Sequence, residues 1–126
     1  MQHILLVALG GGVGAALRHL VNLGAMRLMG PGFPWGTLTV NVVGSLLMGL
    51  LVELLALKLD ASANLRLMLA TGFLGGFTTF SAFSLDVALM VERGDVALAA
   101  LYVGLSVTGA FAGIFIGLGA VRALFA

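Results

Sequence analysis

The chain has 126 residues, of which 61% are hydrophobic and 9% charged, with a mean hydropathy of +1.20. A soluble domain carries about 25% charged residues, so a water-soluble architecture is excluded, and a net charge of +1 offers too little positive potential for a nucleic-acid partner. With no Cys and two His, disulfide frameworks, thiolate nucleophiles and zinc-type enzymes are excluded as well.

The length accommodates about four membrane crossings of roughly 20 residues each, with short loops. One compact multi-pass unit over residues 1–126 is therefore expected, with no separate catalytic domain. The first span runs from about Ile4 to Met26. No Lys or Arg precedes Ile4 and the apolar run outlasts a signal-peptide core, so a retained helix is expected rather than a cleaved leader. Gly10-x-Gly12-x-x-Ala15 imitates a dinucleotide fingerprint. The acidic residue that should follow about 20 residues later is missing, the first acid in the chain being Glu53. Gly10 and Gly14 read instead as a close-packing pair. Arg18 and His19 lie toward the far end of this span, where a long side chain can snorkel to the interface or face a water-filled vestibule.

The connector from Gly30 to Pro34 is dense in turn formers. Trp35 marks the entry of the second span, a usual place for an amphipathic ring. No charged residue lies between Arg27 and Glu53, an interval that holds a membrane helix, and its one amide is Asn41. A second connector covers Asp60 to Asn64.

The third span lies within the uncharged interval from Arg66 to Asp86, and it is unusual. From Thr71 to Ser84 it is crowded with Gly, Thr and Ser in a stretch that must cross lipid. Gly75 and Gly76, followed by Thr78 and Thr79, are poor helix material, so local unwinding is expected there. The freed backbone groups must then be met by protein, water or ions. Phe80 and Phe83 are three residues apart and share a face, with Ser84 beneath Phe80. Aromatic ring edges are electropositive and can face a small anion without supplying a trapping charge.

After the connector from Glu92 to Asp95, the fourth span carries Gly109, Gly113 and Gly117 on one face, and Tyr102 and Ser106 four residues apart on another. Asn41, Tyr102 and Ser106 are all neutral donors. Together they suit an anion path in which amide, hydroxyl and ring edge replace the ion's water, while Asn41 and Ser106 individually serve either that or a helix-to-helix hydrogen bond. The positive residues give no orientation signal. With four spans, Lys58, Arg66 and Arg122 fall on one side and Arg18, Arg27 and Arg93 on the other, so either the chain inserts both ways up or another signal decides.

Three motifs carry a likeness to a known family: Gly11-Gly12-x-Gly14-Ala15-x-x-Arg18, Gly36-Thr37-Leu38-x-Val40-Asn41-x-x-Gly44, and Gly72-Phe73-x-Gly75-Gly76-x-Thr78-Thr79-Phe80-Ser81-x-Phe83-Ser84. In these the chain resembles the Fluc/CrcB fluoride channels over nearly its whole length. The resemblance implies an all-α membrane protein of four transmembrane helices with a broken third helix. It also implies an antiparallel, dual-topology homodimer in the cell's plasma (inner) membrane, holding two pores that export fluoride passively, and no enzymatic activity. It implies that Asn41, Phe80, Ser81, Phe83, Tyr102 and Ser106 line the fluoride pathway, with Arg18 in the vestibule. A structural sodium ion is implied at the backbone carbonyls of Gly75 and Thr78. The chain departs from the family's usual pattern at His19, where Tyr is common, at Ala82, where Thr is common, and at Asp86, where Glu is usual. The competing class is a small four-helix multidrug-type exporter, disfavoured because no acid except Asp86 approaches the interior of a span. A membrane subunit whose glycines merely dock another protein is the bland alternative.

Overall fold

The computed structural model describes residues 1–57 and 63–125. Lys58 and Asp60, counted above in the charge balance and the second connector, lie outside the described residues. Helix α1 covers Gln2–Met29 and α2 covers Trp35–Leu57. The third span, Ala63–Glu92, is composite. It contains α3 (Ala63–Arg66), a π-helical stretch (Leu67–Leu74), α4 (Gly75–Phe77), an extended pair at Thr78 and Thr79, and α5 (Phe80–Glu92). Helix α6 covers Val96–Leu124. The protein is all-helical in its described residues. At 1.5 Å per residue even α2 reaches about 35 Å, more than the roughly 30 Å of bilayer hydrocarbon, so each of the four spans is long enough to cross.

The turns follow the sequence punctuation. Gly30 stops α1 with φ +75°, its N–H donating to the Met26 carbonyl at 2.9 Å, and Gly94 turns the chain into α6 with φ +86°. Both backbone angles are costly for a residue with a Cβ.

Two glycine seams hold the helices together. In the first, α1 lies on the π-helical stretch and α4. A Cβ on Gly10 would strike the Met68 carbonyl, one on Gly14 the Phe73 carbonyl, and one on Gly76 the Gly11 carbonyl. In the second, α6 lies along α2, where a Cβ on Gly117 would strike the Leu46 carbonyl and one on Gly49 the Ile114 carbonyl. Lipid is as apolar as leucine, so these backbones associate through close van der Waals fit rather than hydrophobic exclusion. The packing role expected for Gly10, Gly14, Gly72, Gly76, Gly109, Gly113 and Gly117 is what the structure has, Gly109 meeting the Val42 side chain rather than backbone.

Helices α5 and α6 close on a core of Phe83, Met90, Ala99 and Tyr102, roofed by Phe33 from the first connector. Helices α2 and α6 are two spans apart in sequence and run the same way. Near their C-terminal ends Arg122 grips Glu53 through two donors, Nε at 2.8 Å and Nη2 at 3.2 Å. This fork-to-carboxylate pair ties the two helices across 69 residues of sequence.

The break in the third span falls within the expected stretch, at its threonines rather than at its glycines. Gly75 and Gly76 remain helical, with Gly75 at φ −63°, ψ −36°. The chain leaves the helix at Thr78 (φ −88°, ψ 160°) and Thr79 (φ −155°, ψ 120°). β-Branched threonine favours extended backbone. Gly76 is fixed instead by the seam with α1, where its lack of a side chain is used for contact.

Candidate functional site

The extended pair is clamped from a neighbouring helix. Asn41, projecting from α2, accepts the Thr79 N–H through Oδ1 at 2.7 Å and donates Nδ2 to the Thr79 carbonyl at 3.0 Å. One side-chain amide thus imitates a β-ladder partner and satisfies both polar groups of a residue that has left its helix. Gly44, one turn on, makes room for this approach, since a Cβ there would strike Thr78. Thr79 then caps α5, its Oγ1 accepting from the Ala82 N–H at 3.1 Å, while Thr78 turns its hydroxyl back onto the Leu74 carbonyl at 2.9 Å.

These bonds take the usual helical donor away from two carbonyls. In an unbroken helix the Thr79 N–H would serve the Gly75 carbonyl and the Ala82 N–H would serve that of Thr78. Both donors are committed to side chains, Asn41 and Thr79 respectively. Among the described residues no group of His, Asp and Glu is placed to hold a metal, so a hard cation here would have to use backbone oxygen.

Beside the clamp lies a cavity of about 220 Å³ lined by Asn41, Ser45, Thr79, Phe80, Phe83, Ser106, Val107, Ala110 and Phe111. None of these carries a charge. Ser106 is 6% exposed, and its Oγ has no hydrogen-bond partner among the described residues, although a helical serine ordinarily bonds the carbonyl four residues back. Phe80 and Phe83 stand with ring centroids 5.6 Å apart at 47°, yet their surroundings differ sharply: Phe83 is 9% exposed and Phe80 79%. Ser84, as its spacing suggested, lies one turn below and donates to the Phe80 carbonyl at 2.9 Å.

Four of the six pathway residues expected from sequence therefore meet at one cavity: Asn41, Phe80, Phe83 and Ser106. The other two do not line it. Ser81 is exposed, its hydroxyl 3.3 Å from that of Thr79. Tyr102 is fully buried, and its hydroxyl donates to Asp86 Oδ2 at 2.9 Å. Its ring packs on Phe83 at 5.1 Å and edge-on to Phe33 at 5.4 Å. Of the two roles left open for Asn41 and Ser106, Asn41 does make the interhelix bond and Ser106 makes none. Arg18 lies nearer the middle of its helix than the sequence suggested. Because α1 extends to Met29, it stands about 17 Å of helix from the end, half-buried with Nε lacking a partner among the described residues.

A second cavity, of about 310 Å³, opens on the side of the first connector and shares no lining residue with the first. Ala82 and Asp86 face it from α5, Thr37 from α2 and Asn22 from α1, together with Phe33 and Trp35. Sequence reading missed Asn22, whose side chain sits where a Cβ on Gly36 would be, and the Glu53–Arg122 pair. The N-cap at Thr79 was visible in principle as a Thr beginning an apolar helix; the pairings across helices left no local signal.

Comparison with known proteins shows the family. Residues 5–118 match the family described as CrcB-like protein, Camphor Resistance (CrcB). The chain is 55% identical over 125 residues, 99% of its own length and 100% of the relative's, to the "Fluoride-specific ion channel FluC" of Agrobacterium fabrum. It is 56% identical to the protein of that name from Chelativorans sp. over 124 residues, 98% of this chain and 99% of that one. The Mesorhizobium japonicum protein is 52% identical over the same shares.

Proposed function

We propose, from the premise that the chain belongs to the CrcB family, that it is a fluoride-specific membrane channel acting by passive export, one four-span unit per subunit and not an enzyme. Hydrogen fluoride enters a cell as a neutral weak acid and ionises inside, so an anion pore lets membrane potential and gradient expel the ion without coupling.

The observation that carries the reading is the unpartnered Ser106 hydroxyl, buried in an uncharged cavity beside Asn41 and the Phe80–Phe83 pair. Fluoride holds its water tightly, and a pore must replace that water with donors. Ser106 supplies an O–H free of other duties. Asn41 spends one amide proton on Thr79 and has a second. The electropositive ring edges of Phe80 and Phe83 complete the shell without a countercharge that would hold the ion too firmly. Tyr102 and Ser81 serve the approaches rather than this chamber, Tyr102 by holding Asp86 in place. Arg18 raises the local anion concentration from a vestibule that reaches deep along α1.

The chain acts as an antiparallel homodimer with two pores. Support comes from the balance of positive residues and from Phe80, which is 79% exposed beside a cavity, a position suited to contact with a second subunit. A two-fold axis in the membrane plane would bring the two breaks together. The freed carbonyls of Gly75 and Thr78 would then hold a structural sodium ion, whose charge would draw the two breaks together.

The test is efflux from fluoride-loaded liposomes containing only this protein, followed with a fluoride electrode. Fluoride release that far exceeds chloride release is expected. Vesicles as tight to fluoride as protein-free ones would overturn the reading.

A further inference from the structure

Ser45 follows Asn41 by four residues on α2, which puts both side chains on one face of the helix, and both line the cavity that holds the Ser106 hydroxyl. Ser45 is half-buried, and no group among the described residues bonds its hydroxyl. The glycine seam fixes how α2 and α6 stand against each other. Gly113 is level with the turn from Val42 to Leu46, and Gly117 with the turn from Leu46 to Leu50, since a Cβ on either would meet those backbones. Because the two helices run the same way, Asn41 stands level with Ala110, Ser106 one turn before it and Ser45 one turn beyond. Three uncharged donors therefore succeed one another across the membrane at intervals of about 6 Å. On α6 the cavity residues after Ser106 are Val107, Ala110 and Phe111, none of which donates from its side chain. The Thr79 hydroxyl is occupied with Ala82 and Ser81. Beyond Asn41, the free hydroxyl on this wall is that of Ser45.

We propose that Ser45 is a further fluoride-contacting donor, whose hydroxyl takes the ion from Asn41 and passes it toward the end of the span where Glu53 and Arg122 join α2 to α6. The proposal rests on the reading of the Ser106 cavity as the fluoride path. An anion leaving Asn41 in that direction passes Ala110 and the exposed Phe111 ring, and a wall without donors there would strand it with part of its water removed. A hydroxyl one turn on replaces that water and, being neutral, releases the ion again. The fold aims this hydroxyl. At 3.6 residues per turn, Ser45 falls between Gly44, whose bare face meets Thr78, and Gly49, whose bare face meets the Ile114 carbonyl. These two close contacts leave Ser45 pointing into the gap between α5 and α6, which is the cavity.

The experiment records single-channel fluoride currents from the purified full-length protein and its Ser45 variants in planar bilayers, with melting temperature in detergent as the measure of folding. Ser45→Ala should lower the unitary current about tenfold or more, as loss of a hydrogen bond to a charged group implies, while melting stays native. Ser45→Thr and Ser45→Val share a shape and differ in the hydroxyl, so Ser45→Thr should restore most of the current and Ser45→Val should match Ser45→Ala. Fewer conducting channels or a lower melting temperature, with native current through each remaining channel, marks a structural role and overturns the proposal. Equal unitary currents in Ser45→Thr and Ser45→Val overturn it too. If Ser106→Ala still lowers the current when Ser45→Ala does not, the reading of the cavity stands and the role of Ser45 falls; a native protein that passes no fluoride current overturns both.

Discussion

Ser106, Phe80 and Phe83 share a cavity but differ in what the fold asks of them, and this separates conduction from stability. The Ser106 hydroxyl is buried without a partner, so Ser106→Ala removes a group that costs rather than stabilises. Thermal stability in detergent should be unchanged or higher while fluoride efflux falls; equal efflux would remove the hydroxyl from the path. Phe80→Ile should lower efflux with a smaller shift in melting than Phe83→Ile, because that ring is exposed in the subunit. Phe83→Ile should lower both, since its ring packs on Tyr102 at 5.1 Å and losing an aromatic contact costs about 0.5–1.5 kcal/mol. Asn41→Asp adds a charge that repels the anion and loses the donor to the Thr79 carbonyl, so both efflux and stability should drop. The identities of these side chains were readable in the sequence, because a neutral donor or ring in a lipid-crossing stretch is conspicuous. The commitment of Tyr102 to Asp86 was not, because 16 residues and a change of helix separate them.

At the scale of elements, the broken third span depends on two devices, a cap and a seam. Thr79→Ala removes the acceptor for the Ala82 N–H and should cost about 0.5–2 kcal/mol, visible as a lower melting temperature that Thr79→Ser recovers. The seam of α1 predicts a contrast between near neighbours. Gly14→Val drives a branched side chain into the Phe73 carbonyl and should destabilise by about 1–3 kcal/mol or more, whereas Gly12→Ala meets open space and should be silent. The positions of the spans and connectors were legible because charge is expelled from lipid and Gly and Pro punctuate what remains. The position of the break was legible only to within a few residues. Local propensity marks Gly75 and Gly76 as weak points, but packing against Gly11 and the clamp from Asn41 decide that the helix opens at Thr78 and Thr79, and neither contact is local.

For the whole molecule, the charge distribution and the cavity argue together. Outside the helix interiors the positive residues divide three against two across the two sides, too small a bias to set one orientation. Insertion in both orientations therefore predicts that a reporter fused to the C-terminus registers on both faces of the membrane, and that two added Lys in the first connector collapse it to one; a single orientation from the outset would contradict dual topology. The central claim is that an uncharged chamber of donors and ring edges conducts fluoride without coupling it to another ion. The most direct measurement is the reversal potential of current through the purified protein in a planar bilayer, with fluoride gradients set against chloride and proton gradients. Reversal at the fluoride equilibrium potential is expected whatever the pH on either side. Reversal that follows the chloride gradient, or that moves with pH at fixed fluoride, would contradict it.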